Sequence, residues 1–134
     1  MARVYDIAVA SLALDVERKW LDNLTSQHSL PGTDHFARGV PRRFAMRALV
    51  TAAIVRDLNR ALGVSVARGV ALAARLLDLP STREARLPVA SSISLAIDVA
   101  KLEQEIEDRL VVAMETAVPR RRGRPPRKER RGTQ

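Results

Sequence analysis

The side chains in this sequence that could do chemistry are chiefly cationic, and they are unevenly distributed. Residues 119–134 carry eight arginine or lysine side chains and one acid, Glu129, for a net charge of +7. The other 118 residues carry 15 basic and 14 acidic groups, so their net charge is only +1. A cluster of cations this dense predicts a segment that binds a polyanion such as nucleic acid.

This basic segment also contains a short glycine- and proline-bearing motif. Proline keeps the backbone extended, glycine permits close approach, and arginine is attracted to the negative potential of a narrow minor groove. The run resembles an AT-hook, which implies that it binds A·T-rich DNA. The residues expected to contact DNA are Arg121, Arg122, Gly123, Arg124, Pro125, Arg127 and Lys128. The alternative is a non-specific arm that could equally hold RNA. Without a partner, residues 119–134 are predicted to be disordered.

Groups suited to catalysis or metal binding are scarce. The chain has no cysteine, and its two histidines, His28 and His35, have only Asp34 as a nearby carboxylate. No serine has a base at a recognisable spacing, and no glycine-rich phosphate-binding loop is present. We therefore expect no enzyme activity, no bound metal and no cofactor.

Two short helices in residues 5–26 could present a second set of polar groups. With Asp15 at the turn between them, Ser11 takes the position that must be small for the helices to approach. The apolar residues then at buried positions are Ala10, Leu14, Val16, Leu21 and Leu24. The residues facing outward from the second helix are Glu17, Arg18, Lys19, Asp22 and Asn23. This pattern is typical of a helix-turn-helix, whose outward residues contact base edges and phosphates. The alternative is an ordinary helical hairpin buried in the fold.

The segment that follows is predicted to be a loop or small hairpin and then two more helices. Residues 27–44 contain helix-breaking Pro31, Gly32, Gly39 and Pro41, together with the cations Arg38, Arg42 and Arg43. From Ala45, apolar residues recur at three- and four-residue steps as far as Leu62, which predicts one long helix. Gly63 is a stop signal, and Ser65 could cap a further helix that ends near Leu77.

This order of elements, about residues 5–77, resembles the winged helix-turn-helix DNA-binding domain of MerR-type regulators. The runs that carry the resemblance are Arg42-Arg43-Phe44, entering the helix at Ala45, and residues 58–65, joining the next two helices. The resemblance implies that Arg18, Lys19 and Asn23 face the major groove, while Arg42 and Arg43 in the wing hold phosphates. Trp20 replaces the aromatic pair usual in that family and is expected to pack. Metal sensing does not carry over, because cysteine is absent.

The C-terminal half is predicted to contain a linker, a strand and an acidic helix. Residues 79–92 include Pro80 and Pro88 and are interpreted as the linker. A short half-buried strand should follow, and Asp98 should cap a helix that ends near Val118. One strand and one helix cannot bury their own apolar faces. Homodimerisation is therefore the favoured interpretation, and packing back on the N-terminal domain is the alternative. The expected interface residues are Ile93, Leu95, Ile97, Val99, Leu102, Ile106, Leu110, Ala113 and Met114.

Together these patterns predict a mainly α fold in four parts. A winged helix-turn-helix domain would span residues 1–78, the linker 79–92, a strand and dimerisation helix 93–118, and the basic tail 119–134. The predicted function is a sequence-specific double-stranded DNA-binding transcriptional regulator, a repressor or autoregulator, in the bacterial cytoplasm at the nucleoid. One alternative is an antitoxin that represses its own operon and neutralises a toxin protein through residues 79–118. Another is a non-specific nucleoid-associated or RNA-binding protein. No membrane-spanning run or leader is expected.

Overall fold

A computed structural model describes residues 3–34, 42–80 and 84–117, and this part of the chain is mainly helical. Its helices are α1 (Ile7–Leu14), α2 (Arg18–Gln27), α3 (Met46–Leu62), α4 (Val66–Asp78) and α5 (Val99–Thr116). Its strands are β1 (Val4–Tyr5), β2 (Thr33–Asp34), β3 (Arg43–Ala45), β4 (Glu84–Ala90) and β5 (Ile93–Asp98). None of the helices described has the length and apolar content that crossing a bilayer requires.

Local side-chain signals set several helix boundaries. Ser65 precedes α4 and accepts a hydrogen bond from the Arg68 backbone N–H at 3.3 Å, while Asp98 accepts one from the N–H of Lys101 at 2.9 Å. These bonds satisfy amide donors that have no partner inside the helix. Gly63 ends α3 in the left-handed conformation, with a φ of 69°. The predicted stop at Gly63 and the predicted caps at Ser65 and Asp98 are confirmed.

Helix α3 forms the centre of the core. Every residue from Ala48 to Val55 is buried, which is more than the single buried face that the sequence periodicity predicts. The physical reason is that α1, α4, α5 and β3 pack around α3 on several sides. Its C-terminal end leaves the core, where Leu62 is exposed.

A small antiparallel sheet packs against α1 and α3. Its strand order is β1-β3-β2, with β3 in the centre. Phe44 of β3 pairs with Tyr5 on one side and with Thr33 on the other, and its side chain is fully buried. Strands β2 and β3 fit the predicted small hairpin, although residues 35–41 between them lie outside the described residues. Strand β1 was not predicted, because a two-residue strand has no periodicity of its own.

The prediction that residues 79–92 form a linker is wrong for Glu84–Ala90, which form strand β4. This strand forms an antiparallel hairpin with β5 and packs against α4 and α5. Its inward residues, Ala85 and Leu87, are buried and give the strand an apolar face. Pro88, which favours a linker, lies at the irregular end of the strand, next to a register shift, where proline is tolerated.

Helix α5 packs on α1 and α3 of its own chain. Ile106, Leu110 and Ala113 of its predicted interface stripe are buried in these contacts. For these three residues, packing within the chain is therefore observed in place of the favoured homodimer contact. The side chains expected to contact another chain are already covered by α1 and α3. In contrast, Met114 and Ile93 stay exposed, and the remaining residues of the predicted interface are half-buried.

Candidate nucleic-acid interface

The connection between α1 and α2 is a tight turn at Asp15. Its backbone adopts the left-handed conformation, with φ 57° and ψ 50°, and it is the only non-glycine residue with a positive φ in the described part of the chain. The Asp15 N–H donates to the Leu12 carbonyl at 3.2 Å, and the Val16 N–H donates to the Ser11 carbonyl at 3.0 Å. This pair of bonds is the Schellman arrangement that ends a helix and reverses the chain. The predicted position of the turn is confirmed.

The two helices meet through the apolar residues that the sequence placed there. Ala10 and Leu14 of α1 and Leu21 and Leu24 of α2 are all buried. Ser11 is also buried, and its hydroxyl donates to the Ala8 carbonyl at 3.2 Å, so its polar atom has a partner. Val16, predicted to be buried like the others, is only half-buried.

Two arginines of α3 donate hydrogen bonds to backbone carbonyls at the turn between α1 and α2. The Arg56 guanidinium donates to the Leu14 carbonyl at 2.5 Å, and that of Arg60 donates to the Asp15 carbonyl at 2.6 Å. Arg60 also lies 3.7 Å from the Asp15 carboxylate. These cations satisfy carbonyls at the C-terminal end of α1 and oppose its partial negative charge. We call this pair, Arg56 and Arg60, the arginine clamp.

Sequence reasoning missed the arginine clamp, although one weak signal was present. The two residues are four apart on α3 and therefore lie on the same side of the helix. Nothing local indicates that they reach the turn, because their carbonyl partners are 42 and 45 residues away in the chain.

The side of α2 facing away from the core is polar and accessible. All five residues predicted to face outward are exposed, and they are Glu17, Arg18, Lys19, Asp22 and Asn23. We call this set the α2 polar face. It carries two cations, two anions and one amide, a mixture that can both donate to and accept from base edges. Arg18 and Lys19 lie in the first turn of the helix.

A salt bridge joins the α2 polar face to the small sheet. The Arg42 guanidinium lies 2.7 Å from the Asp22 carboxylate, and the Arg42 side chain is only 20% exposed. Arg42 therefore ties the start of β3 to α2, and its charge is largely engaged by Asp22. Arg43, the next residue, is exposed to solvent.

Trp20 contributes to packing, as predicted. It is half-buried against the core and lines a small open hollow between α2 and α3, together with Val16, Arg56 and Asn59. The indole therefore contributes apolar contact on the inner side of α2 and leaves the α2 polar face to charged and amide groups.

Several predicted site residues lie outside the described part of the chain. These are Arg38 and the tail residues Arg121, Arg122, Gly123, Arg124, Pro125, Arg127 and Lys128. Within residues 3–34, 42–80 and 84–117, no cluster of histidine, cysteine or carboxylate side chains could hold a metal ion. Comparison with protein-family models, with curated protein sequences and with solved structures finds no match to this chain.

Proposed function

We propose that this chain is a sequence-specific double-stranded DNA-binding transcriptional regulator, a winged helix-turn-helix protein that inserts α2 into the major groove. The observation that carries the proposal is the α2 polar face, held in a fixed orientation by a left-handed turn and the arginine clamp. A helix that reads bases must expose its polar side while its position relative to the rest of the domain is fixed.

The composition of the α2 polar face suits base reading. Arginine and lysine donate to guanine O6 and N7, and asparagine pairs with adenine N6 and N7. Arg18 and Lys19 in the first turn stand where recognition helices make base contacts, and Asn23 follows one turn later. The Glu17 carboxylate at the helix start can accept a hydrogen bond from the amino group of a cytosine.

Contacts to the DNA backbone would come from neighbouring segments. Arg43 of β3 is exposed and positioned next to the Asp22–Arg42 bridge, so we assign it to a phosphate. Arg42 itself is assigned to holding α2, because Asp22 already engages its charge. Arg38 and the AT-hook-like tail would add phosphate and minor-groove contacts. The resemblance to MerR-type domains supports the same arrangement, and within it we assign the chain the role of a repressor or autoregulator at the nucleoid.

The antitoxin alternative receives less support from the packing of α5. A toxin that bound the apolar stripe of this helix would have to displace it from α1 and α3, where Ile106 and Leu110 are buried. We therefore keep the regulator as the proposed function.

The test is fluorescence anisotropy with the full chain and with a truncation ending at Val118. Each protein is titrated with its own promoter duplex and with a scrambled duplex, at low and at moderate salt. The decisive variant is R18A/K19A. Its charge-matched control is R68A/R75A, which removes two exposed arginines of α4. Loss of even one good base contact costs about 1–3 kcal/mol, so R18A/K19A should lower promoter affinity at least about fivefold. The control should show only a small, sequence-independent loss.

The truncation separates the body from the tail. If it still prefers the promoter, α2 reads sequence and the tail adds affinity with a steep salt dependence. The proposal fails if R18A/K19A keeps the wild-type preference for the promoter. It also fails if binding disappears with the tail and the full chain shows no sequence preference. In that case a general nucleic-acid binder takes its place, and duplex RNA in the same assay would show which polymer it holds.

A further inference from the structure

The apolar face of the β4–β5 hairpin becomes more exposed toward β5. On β4, Ala85 and Leu87 are 1% and 4% exposed. Their cross-strand partners on β5, Ile97 and Leu95, are only half-buried, and Ile93 at the start of β5 is 60% exposed. Because residues directly opposite each other project from the same face of a sheet, this is one apolar surface that continues beyond the elements covering it.

The two edges of this hairpin differ in how they are protected. Strand β4 carries Glu84, Arg86 and Pro88 and has a register shift after Pro88, all of which discourage pairing with another strand. Strand β5 has none of these features, because residues 93–97 are uncharged and contain no proline or glycine. Among the described residues, no strand other than β4 pairs with β5. An edge of this kind is a ready site for one more strand.

The sequence of β5 is compatible with a second copy of itself. In an antiparallel pairing centred on Leu95, Ser94 lies opposite Ala96 of the other copy, and Ile93 lies opposite Ile97. No like charges meet in this register, the exposed outer positions are small, and the exposed Ile93 gains an apolar neighbour. The two-fold arrangement also makes both contributions equivalent, as a closed dimer requires.

We propose that β5 is a self-association site, at which two copies of this chain join their hairpins into one four-stranded antiparallel sheet of order β4-β5-β5-β4. The occupant of the open edge is thus β5 of a second copy. The stripe on α5 stays covered within each chain. The pairing involves one short strand per copy, so the dimer forms reversibly as protein concentration rises. This inference goes beyond the proposed function, because it requires no DNA.

Sedimentation-velocity centrifugation of the full chain without DNA, across a concentration series, tests the proposal. The variant S94K/A96K adds two charges at exposed β5 positions and places like charges opposite each other in the proposed register. It should weaken dimerisation by roughly tenfold, since each repulsive pair costs up to about 1 kcal/mol. The matched control V111K/V112K adds the same charges to exposed positions of α5 and should dimerise like the wild type. Circular dichroism establishes that both variants fold.

A cross-linking arm tests the register separately. The chain has no cysteine, so a bismaleimide applied to an A96C variant can join only two copies. The proposed pairing separates the two labelled positions by two residues along the strands and one strand spacing, about 8 Å. Efficient cross-linking of A96C, with little for V112C, is the expected result.

Three results would overturn the proposal. The first is a chain that stays monomeric at its highest soluble concentration. The second is loss of the dimer in V111K/V112K and not in S94K/A96K, which would place the interface on the outer side of α5. The third is cross-linking of V112C in preference to A96C. None of these outcomes depends on DNA binding, so failure here and failure of the proposed function are separate findings.

Discussion

Replacing Arg56 with methionine should loosen the turn that orients α2. Methionine keeps most of the aliphatic stem but removes the guanidinium, which donates to the Leu14 carbonyl at 2.5 Å and contacts Asp57 at 2.9 Å. The Arg56 side chain is only 15% exposed, so water replaces the lost bond poorly. A charge-assisted hydrogen bond contributes about 1.5–3 kcal/mol, and we expect R56M to lower the free energy of unfolding by about 2 kcal/mol.

The second member of the arginine clamp provides an internal control. Arg60 makes the equivalent bond to the Asp15 carbonyl at 2.6 Å, but its side chain is 53% exposed and its ion pair with Asp15 is longer, at 3.7 Å. Exposed pairs of this kind contribute about 0–1 kcal/mol, so R60M should cost clearly less than R56M. Its smaller effect should also shrink at high salt, because ions screen exposed charges more strongly than partly buried ones.

Urea denaturation followed by circular dichroism, at low and high salt, measures both effects. If the reasoning is right, R56M shifts the midpoint to lower urea with an unchanged slope, and the shift persists at high salt. Equal stability of R56M and R60M, or a loss below about 0.5 kcal/mol for R56M, would refute the assignment of the clamp. Under the proposed function, R56M should also weaken promoter binding although it leaves the α2 polar face intact.

Two further substitutions probe the turn and the hairpin. D15G should leave stability unchanged or raise it by up to about 1 kcal/mol, because glycine relieves the left-handed strain while the weak pair with Arg60 is lost. Thermal unfolding measures this, and a clear destabilisation would mean that the carboxylate matters more than the backbone geometry. L87A should destabilise the chain by about 2–5 kcal/mol, because the side chain is buried and its strand packs against α4 and α5. Exposed Val89 supplies the control V89A, and equal costs for the two would contradict a packed hairpin.

Local features of the fold could be predicted because their causes lie within a few residues. Asp15 tolerates a left-handed turn, Ser65 and Asp98 accept from amides three residues ahead, and Gly63 ends α3 without strain. Each of these depends on the chemistry of one side chain and its immediate neighbours. The α2 polar face follows in the same way, because one turn position fixes which residues of the helix face outward.

Features that depend on distant contacts could not be predicted from these signals. The apolar stripe of α5 shows that Ile106 and Leu110 must be buried, but periodicity cannot say whether the covering surface belongs to the same chain. Strand β4 is stabilised by the cover of α4 and α5 over Leu87, while its local sequence, with Pro88, favours a linker. The arginine clamp is similar, since nothing in the local sequence around Arg56 or Arg60 indicates a carbonyl partner across the fold.

The orientation of α2 is fixed mainly by polar contacts at two places, which we call ties, and only modestly by burial of its own side chains. Only Leu21 and Leu24 of this helix are fully buried, whereas α3 has nine buried residues. The first tie is the turn at Asp15, held by arginines that project from α3, the most buried helix of the described fold. The second is the Asp22–Arg42 bridge to β3, whose central residue Phe44 lies in the core. Both ties therefore attach α2 to elements that are buried in the core. This arrangement lets a helix with little apolar surface keep a fixed orientation while Arg18, Lys19 and Asn23 stay exposed. Preorganisation of this kind reduces the conformational entropy that binding would otherwise cost.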